Sequence, residues 1–96
     1  DVPVRVAAGS QESAGQLKDI CRDAAFVEVD APQSLESDVT LDLDLPGGTL
    51  RVSGRVVRVA PEAGGRHGAA VLFTDLTPSA EARIGFFVAL QSHAES

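Results

Sequence analysis

Apolar and polar residues alternate with a period of two along most of this chain, and the period lengthens only near its end. Val2, Val4 and Val6 alternate with Pro3 and Arg5, the pattern of a half-buried strand whose proline sits near its start, where a lost backbone donor matters least. The stretch GSQESAGQ that follows reads as a turn region. Leu17 to Ile20 predicts a short strand entering a polar bend at Asp19 to Asp23, and Ala25 to Val29 predicts a second strand leaving it. DAPQSLESD reads as a loop directed by Pro32.

The segment VTLDLDLPGGTLRVSGRVVRV is the most legible. Val39, Leu41, Leu43 and Leu45 alternate with Thr40, Asp42 and Asp44, and Gly47-Gly48 predicts the tight turn of a hairpin. With that turn, Leu45 opposes Leu50, Leu43 opposes Val52 and Leu41 opposes Gly54 on the buried face. Outside, Asp44 meets Arg51 and Thr40 meets Arg55. Beyond Gly54 the alternation slips, because Leu50, Val52 and Val56 are even-numbered while Val57 and Val59 are odd. One extra residue near Gly54 to Val57, a bulge, explains the slip and bends the strand as a closing barrel requires. PEAGGRH is a further turn, and Gly68 to Phe73 a last strand with Ala69, Val71 and Phe73 on one face.

At LTPSAEARIGFFVALQSH the period becomes helical. Thr77 suits the N-cap, Pro78 the first helical position, and Glu81 the positive end of the helix dipole. Ala80, Ile84, Phe87 and Val88 form one apolar stripe, so the helix lies on the barrel. Phe86 and Leu90 widen that stripe beyond what packing on a barrel needs, which makes them the candidate contact for another protein or for self-association. Gly85 beside them costs the helix about 1 kcal/mol relative to alanine, a cost that suggests close approach by another group.

Composition narrows the class. The 96 residues make one domain, and 44% are apolar with only four aromatics, all Phe, so the core is built from Val, Leu and Ala. No apolar run is long enough to span a bilayer, and no basic-then-apolar leader opens the chain, which reads as soluble and cytoplasmic. It begins with Asp rather than Met and reads as part of a longer protein. The lone cysteine forms no internal disulfide, consistent with a reducing compartment. The net charge of −6 and the few aromatics argue against a nucleic-acid surface.

Candidate chemistry is sparse. Cys21 lies between Lys18 and Arg22, cations able to stabilise a thiolate, although an exposed bystander is the plainer reading. His67, His93 and one cysteine give no metal-ligand spacing. Nothing resembles a nucleophile elbow, a Gly-rich phosphate loop or a metal-binding His pair, so the chain reads as non-catalytic, without metal or cofactor.

Six strands and a C-terminal helix in this order resemble the PilZ domain, a bacterial family best known for sensing cyclic di-GMP. The resemblance is strongest over GRVVRVAPEAGGRHGAAVLFTDLTPSAEARIGFFV, and it implies a six-stranded antiparallel β-barrel with a C-terminal helix. Ligand-binding members carry D-x-S-x-x-G where this chain has Asp19-Ile20-Cys21-Arg22-Asp23-Ala24. The resemblance therefore places Asp19 on the guanine-binding Asp, Cys21 on the Ser and Ala24 on the Gly. A thiol is a weak hydrogen-bonding partner, and alanine supplies neither the positive backbone angle nor the close approach of glycine. The family's R-x-x-x-R lies just before the first strand, where this chain places Asp1, a carboxylate facing where phosphate would lie. The resemblance thus implies a divergent signalling or protein-interaction module of the motility or polarity type that does not bind cyclic di-GMP directly. The alternative is a cyclic di-GMP receptor whose arginines lie upstream of residue 1, with Asp19, Cys21, Arg22 and Ala24 lining the ligand.

Overall fold

The computed structural model describes residues 2–94, with side chains through residue 91. Six antiparallel strands, β1 (Val2–Ala8), β2 (Gln11–Ile20), β3 (Ala24–Val29), β4 (Asp38–Leu45), β5 (Gly48–Pro61) and β6 (His67–Thr74), precede one helix, α1 (Pro78–Ala94). The strands close into a barrel in the order β1-β2-β3-β6-β5-β4. Each half of the chain contributes a three-stranded meander, and the two halves join along a β3–β6 seam and a β1–β4 seam.

The alternation read from the sequence fills the barrel. Val4, Val6, Val27, Val29, Leu41, Leu43, Val52, Val56, Ala69 and Val71 all point inward and are buried. The helix closes one end. Thr77 caps it, its Oγ1 accepting a hydrogen bond from the Ala80 amide at 3.1 Å, and Ala80, Ile84 and Phe87 join the barrel core with Val88 packed against them. Arg83 also pins the helix to the β4–β5 turn, donating from Nη2 to the Gly48 carbonyl at 2.7 Å.

Two sequence expectations are corrected. The stretch Gly9 to Gln16 is not a turn region: only Gly9 and Ser10 turn, and β2 begins at Gln11. Small residues replace the apolar alternation there because the strand runs close to its neighbours, with Ser13 buried and Gly15 pressed against the backbone of Glu28 and Val29. The hairpin register also shifts by two. Leu45 opposes Gly48, Leu43 opposes Leu50, Leu41 opposes Val52 and Val39 opposes Gly54. The central turn residues are Pro46 and Gly47, not Gly47 and Gly48, because proline's fixed φ suits the first central position and Gly47, at φ 93°, takes the second.

The corrected register re-pairs the surface charges. Arg51 grips Asp42, not Asp44, through Nε at 2.8 Å and Nη2 at 3.2 Å, and Arg55 reaches Asp38 rather than standing over Thr40. That hydrogen-bonded guanidinium holds the Asp42 carboxyl below the usual carboxylate range. The bulge falls where the alternation slips, between Val56 and Arg58, leaving Val57 as the extra residue.

The turn is testable. Gly47→Val is expected to lower stability by about 1 kcal/mol or more, because a β-branched residue is strained at positive φ. An unchanged melting temperature would place the turn elsewhere.

Candidate functional site

The stretch of β2 and β3 that carries Asp19, Cys21, Arg22 and Ala24 lies at the end of the barrel that also holds the start of β1. Val2 pairs with Leu17 and Ile20 pairs with Ala25, so the bend 21–23 projects beyond both strands. The Cys21 amide donates to the Ala24 carbonyl at 2.8 Å, and the Phe73 amide donates to the Asp23 carbonyl at 2.8 Å, tying the bend to β6. A bulge between Leu17 and Asp19 makes Lys18 the extra residue and turns the Asp19 side chain to the outside of the barrel, opposite Phe26. One Asp19 oxygen accepts a hydrogen bond from the Ile20 amide at 2.9 Å, and Asp19 enters no ion pair among the described residues.

Cys21 and Arg22 are exposed, and the cysteine is free. Among the described residues only Glu36 and Asp75 combine a side chain with positive φ, so the bend closes without a left-handed residue at 24. What alanine changes at this position is space: its methyl occupies the outer face directly opposite Leu72. Asp1 lies outside the described residues, as does the side chain of His93. His67 starts β6, and no cluster of three potential metal ligands forms among the described residues.

The site extends further than the sequence motif. Cross-strand pairing sets Asp19, Phe26, Ala70 and Arg58 in one row across β2, β3, β6 and β5, and Ala24, Leu72 and Arg55 in the next. The outer face of the barrel beside the bend is therefore apolar in the middle, with Leu72 45% exposed. Cations line one edge and Asp19 the other. Sequence reading missed Phe26, Leu72 and Arg58 because their neighbours lie on strands far apart in the chain. The available signal was the apolar residue at outward positions 70 and 72 of β6, where a half-buried strand normally carries polar groups.

A second surface lies on the helix. Phe86 and Leu90 are 67% and 44% exposed. Together with Leu45, Pro46, Arg83 and Phe87 they line a groove of about 230 Å³ between the helix and the β4–β5 turn. Gly85 does not report a close neighbour within this chain, since a β-carbon built there meets nothing within 4 Å.

The family model of the PilZ domain matches residues 1–90, and the chain belongs to the PilZ family. No curated protein matches its sequence. Among solved structures, the fold is similar to the inhibitor of motility MotI/DgrA of Bacillus subtilis, with TM-score 0.78 and 11% identity over 96% of this chain and 47% of that one. It is similar to the PilZ domain of CeSA from a cellulose-synthesizing bacterium, with TM-score 0.65 and 24% identity over 94% and 92%. The PlzA protein of Borreliella burgdorferi, solved in complex with c-di-GMP, superposes with TM-score 0.62 and 10% identity over 98% and 46%. The chain spans about half the length of the MotI/DgrA and PlzA chains. No helix among the described residues is long and apolar enough to cross a membrane.

Proposed function

We propose that this PilZ domain is a non-catalytic cytoplasmic signalling module that works by contacting protein, in regulation of the motility or polarity type, and does not itself bind cyclic di-GMP. The observation that carries this reading is the Ala24 methyl on the outer face, together with a thiol at Cys21. At these two positions ligand-binding members of the family offer an open backbone and a hydroxyl. The exposed Phe86 and Leu90 on the helix supply the contact with another protein, and the MotI/DgrA fold shows that this architecture serves an inhibitor of motility elsewhere.

The competing reading is a direct receptor. It is favoured by Asp19, whose outward carboxylate has no cation partner among the described residues, and which the sequence resemblance aligns with the guanine-binding Asp. Calorimetric titration of cyclic di-GMP into the protein carrying its natural upstream flank separates the two. No heat of binding is expected at micromolar nucleotide. Micromolar or tighter binding that Asp19→Ala abolishes would establish the receptor instead.

A further inference from the structure

Helix α1 carries apolar groups on both of its sides. Ala80, Ile84 and Phe87 face the barrel and are buried, whereas Ser79, Ala82, Phe86 and Ala89 face outward and are exposed. The outward positions follow one another by three, four and three, the spacing with which one helix meets a second along a shared seam. A helix face left to solvent normally carries charge. The charged side chains of the described helix are Glu81 and Arg83, and neither belongs to the outward series; Arg83 is turned to the Gly48 carbonyl at 2.7 Å. Leu90, 44% exposed, flanks the series on one side. Gly85 flanks it on the other, where a β-carbon would meet nothing within 4 Å.

We infer that this outward face binds the same face of a second copy of the chain, with the two helices antiparallel about a two-fold axis that passes between Phe86 and Ala89. This rests on the protein contact proposed above for Phe86 and Leu90 and specifies the partner. Phe86, 67% exposed, is the one large side chain of the outward series, and its neighbours along the seam are both alanine, Ala82 before it and Ala89 after it. An antiparallel pair therefore seats Phe86 of each copy over Ala89 of the other. A large group meets a small one at both symmetry-related places, the self-complementarity that an isologous contact demands of a single sequence. Parallel helices in register would instead press Phe86 against Phe86. The antiparallel pairing also brings Leu90 of each copy beside the aliphatic stem of the other's Arg83, and it opposes the two helix dipoles head to tail. A partner chosen by charge finds none to read on this face. The net charge of −6 opposes approach of two copies at long range, and at physiological salt that repulsion is largely screened beyond about 8 Å. The seam from Ser79 to Gln91 is about 20 Å long and buries on the order of 400 Å² on each copy, roughly half of a standard interface's share. The dimer is accordingly one that forms as protein concentration rises, not a permanent one.

Exchanging large and small groups tests the geometry without disturbing the core, because Phe86 and Ala89 are both exposed. In sedimentation equilibrium the natural protein is expected to pass from monomer to dimer in the high-micromolar range. Ala89→Phe sets Phe against Phe at both places and is expected to weaken self-association by about tenfold or more, with an unchanged melting temperature. Combining it with Phe86→Ala exchanges the large and the small group within one chain. Because the pairing is symmetric, that double variant is expected to associate as the natural protein does. Should Ala89→Phe lower the melting temperature, Phe86→Ser, which removes the large group alone, carries the same test and is expected to weaken association to the same degree. A natural protein that stays monomeric up to millimolar concentration overturns the inference. So does Ala89→Phe or Phe86→Ser associating as tightly as the natural protein, or a double variant that associates no better than Ala89→Phe. None of these outcomes touches the absence of cyclic di-GMP binding, which the calorimetric titration decides separately.

Discussion

Gly15→Ala is expected to destabilise the barrel by about 3 kcal/mol or more, the largest effect of any single methyl added to this chain. Gly15 pairs with Val4 on one side and Val29 on the other, in the middle of β2. A β-carbon there would run into the carbonyl of Glu28 and the Cα of Val29. Both are backbone atoms held by the β2–β3 ladder, so relief requires the strands to part rather than a side chain to rotate. Gly68 offers the informative contrast. A β-carbon at 68 meets chiefly the ring end of Phe26 and the flexible side chain of Glu62, with only the Ala60 carbonyl, at 3.2 Å, from the backbone. Gly68→Ala should therefore cost less than Gly15→Ala in chemical denaturation. Equal losses at the two positions would mean that β2 does not pass so close to β3.

The second large effect belongs to the helix. Ile84 is fully buried between α1 and the barrel, and Ile84→Ala is expected to cost about 3 kcal/mol, within the range for large apolar side chains removed from a closed core. Two residues further on the outcome reverses. Phe86→Ser with Leu90→Ser removes more apolar surface in total, yet these side chains already face solvent, so the melting temperature should move little. That contrast separates a helix that only closes the barrel from one that also offers a surface. If the double variant melts as badly as Ile84→Ala, Phe86 and Leu90 belong to the core and the protein contact assigned to them is lost. Gly85→Ala gives a finer reading, since an open site should gain up to about 1 kcal/mol of helix stability.

How far the sequence could be read depended on how much of each element's environment was local. The hairpin of β4 and β5, its bulge and the capped helix were all legible, because alternation, turn chemistry and capping act between residues a few positions apart. The hairpin register failed by two for an equally local reason. Three candidate turn residues stand in a row at 46–48, and the competition between Pro46-Gly47 and Gly47-Gly48 is settled by proline's fixed φ. Strand β2 was hidden for the opposite reason. Its inward positions carry Ser13 and Gly15 in place of large apolar groups, and at Gly15 the backbone of β3, beyond the bend, leaves no room for a side chain. The candidate site divides along the same line. Asp19, Cys21 and Ala24 lie in a motif within six residues, whereas the row joining Asp19 to Arg58 exists only because β3 pairs with β6 across nearly half the chain.

The closed strand order has a consequence for how this domain meets anything at all. A barrel with every strand paired on both sides has no free edge, so no extended peptide can add itself as another strand, and recognition must pass through side chains on its faces and its helix. That protection is only as strong as the weakest seam. β1 and β4 pair through four residue pairs alone, from Val4–Leu43 to Ala7–Thr40, fewer than the five of β2 and β3, whose ladder a bulge interrupts. Opening there would unroll the barrel into a six-stranded sheet flanked by two edges rich in Val and Leu, the form in which such strands pair with those of other molecules. The four-residue seam is therefore where native protection against aggregation resides, and its amides are the ones whose hydrogen exchange would report that protection being lost.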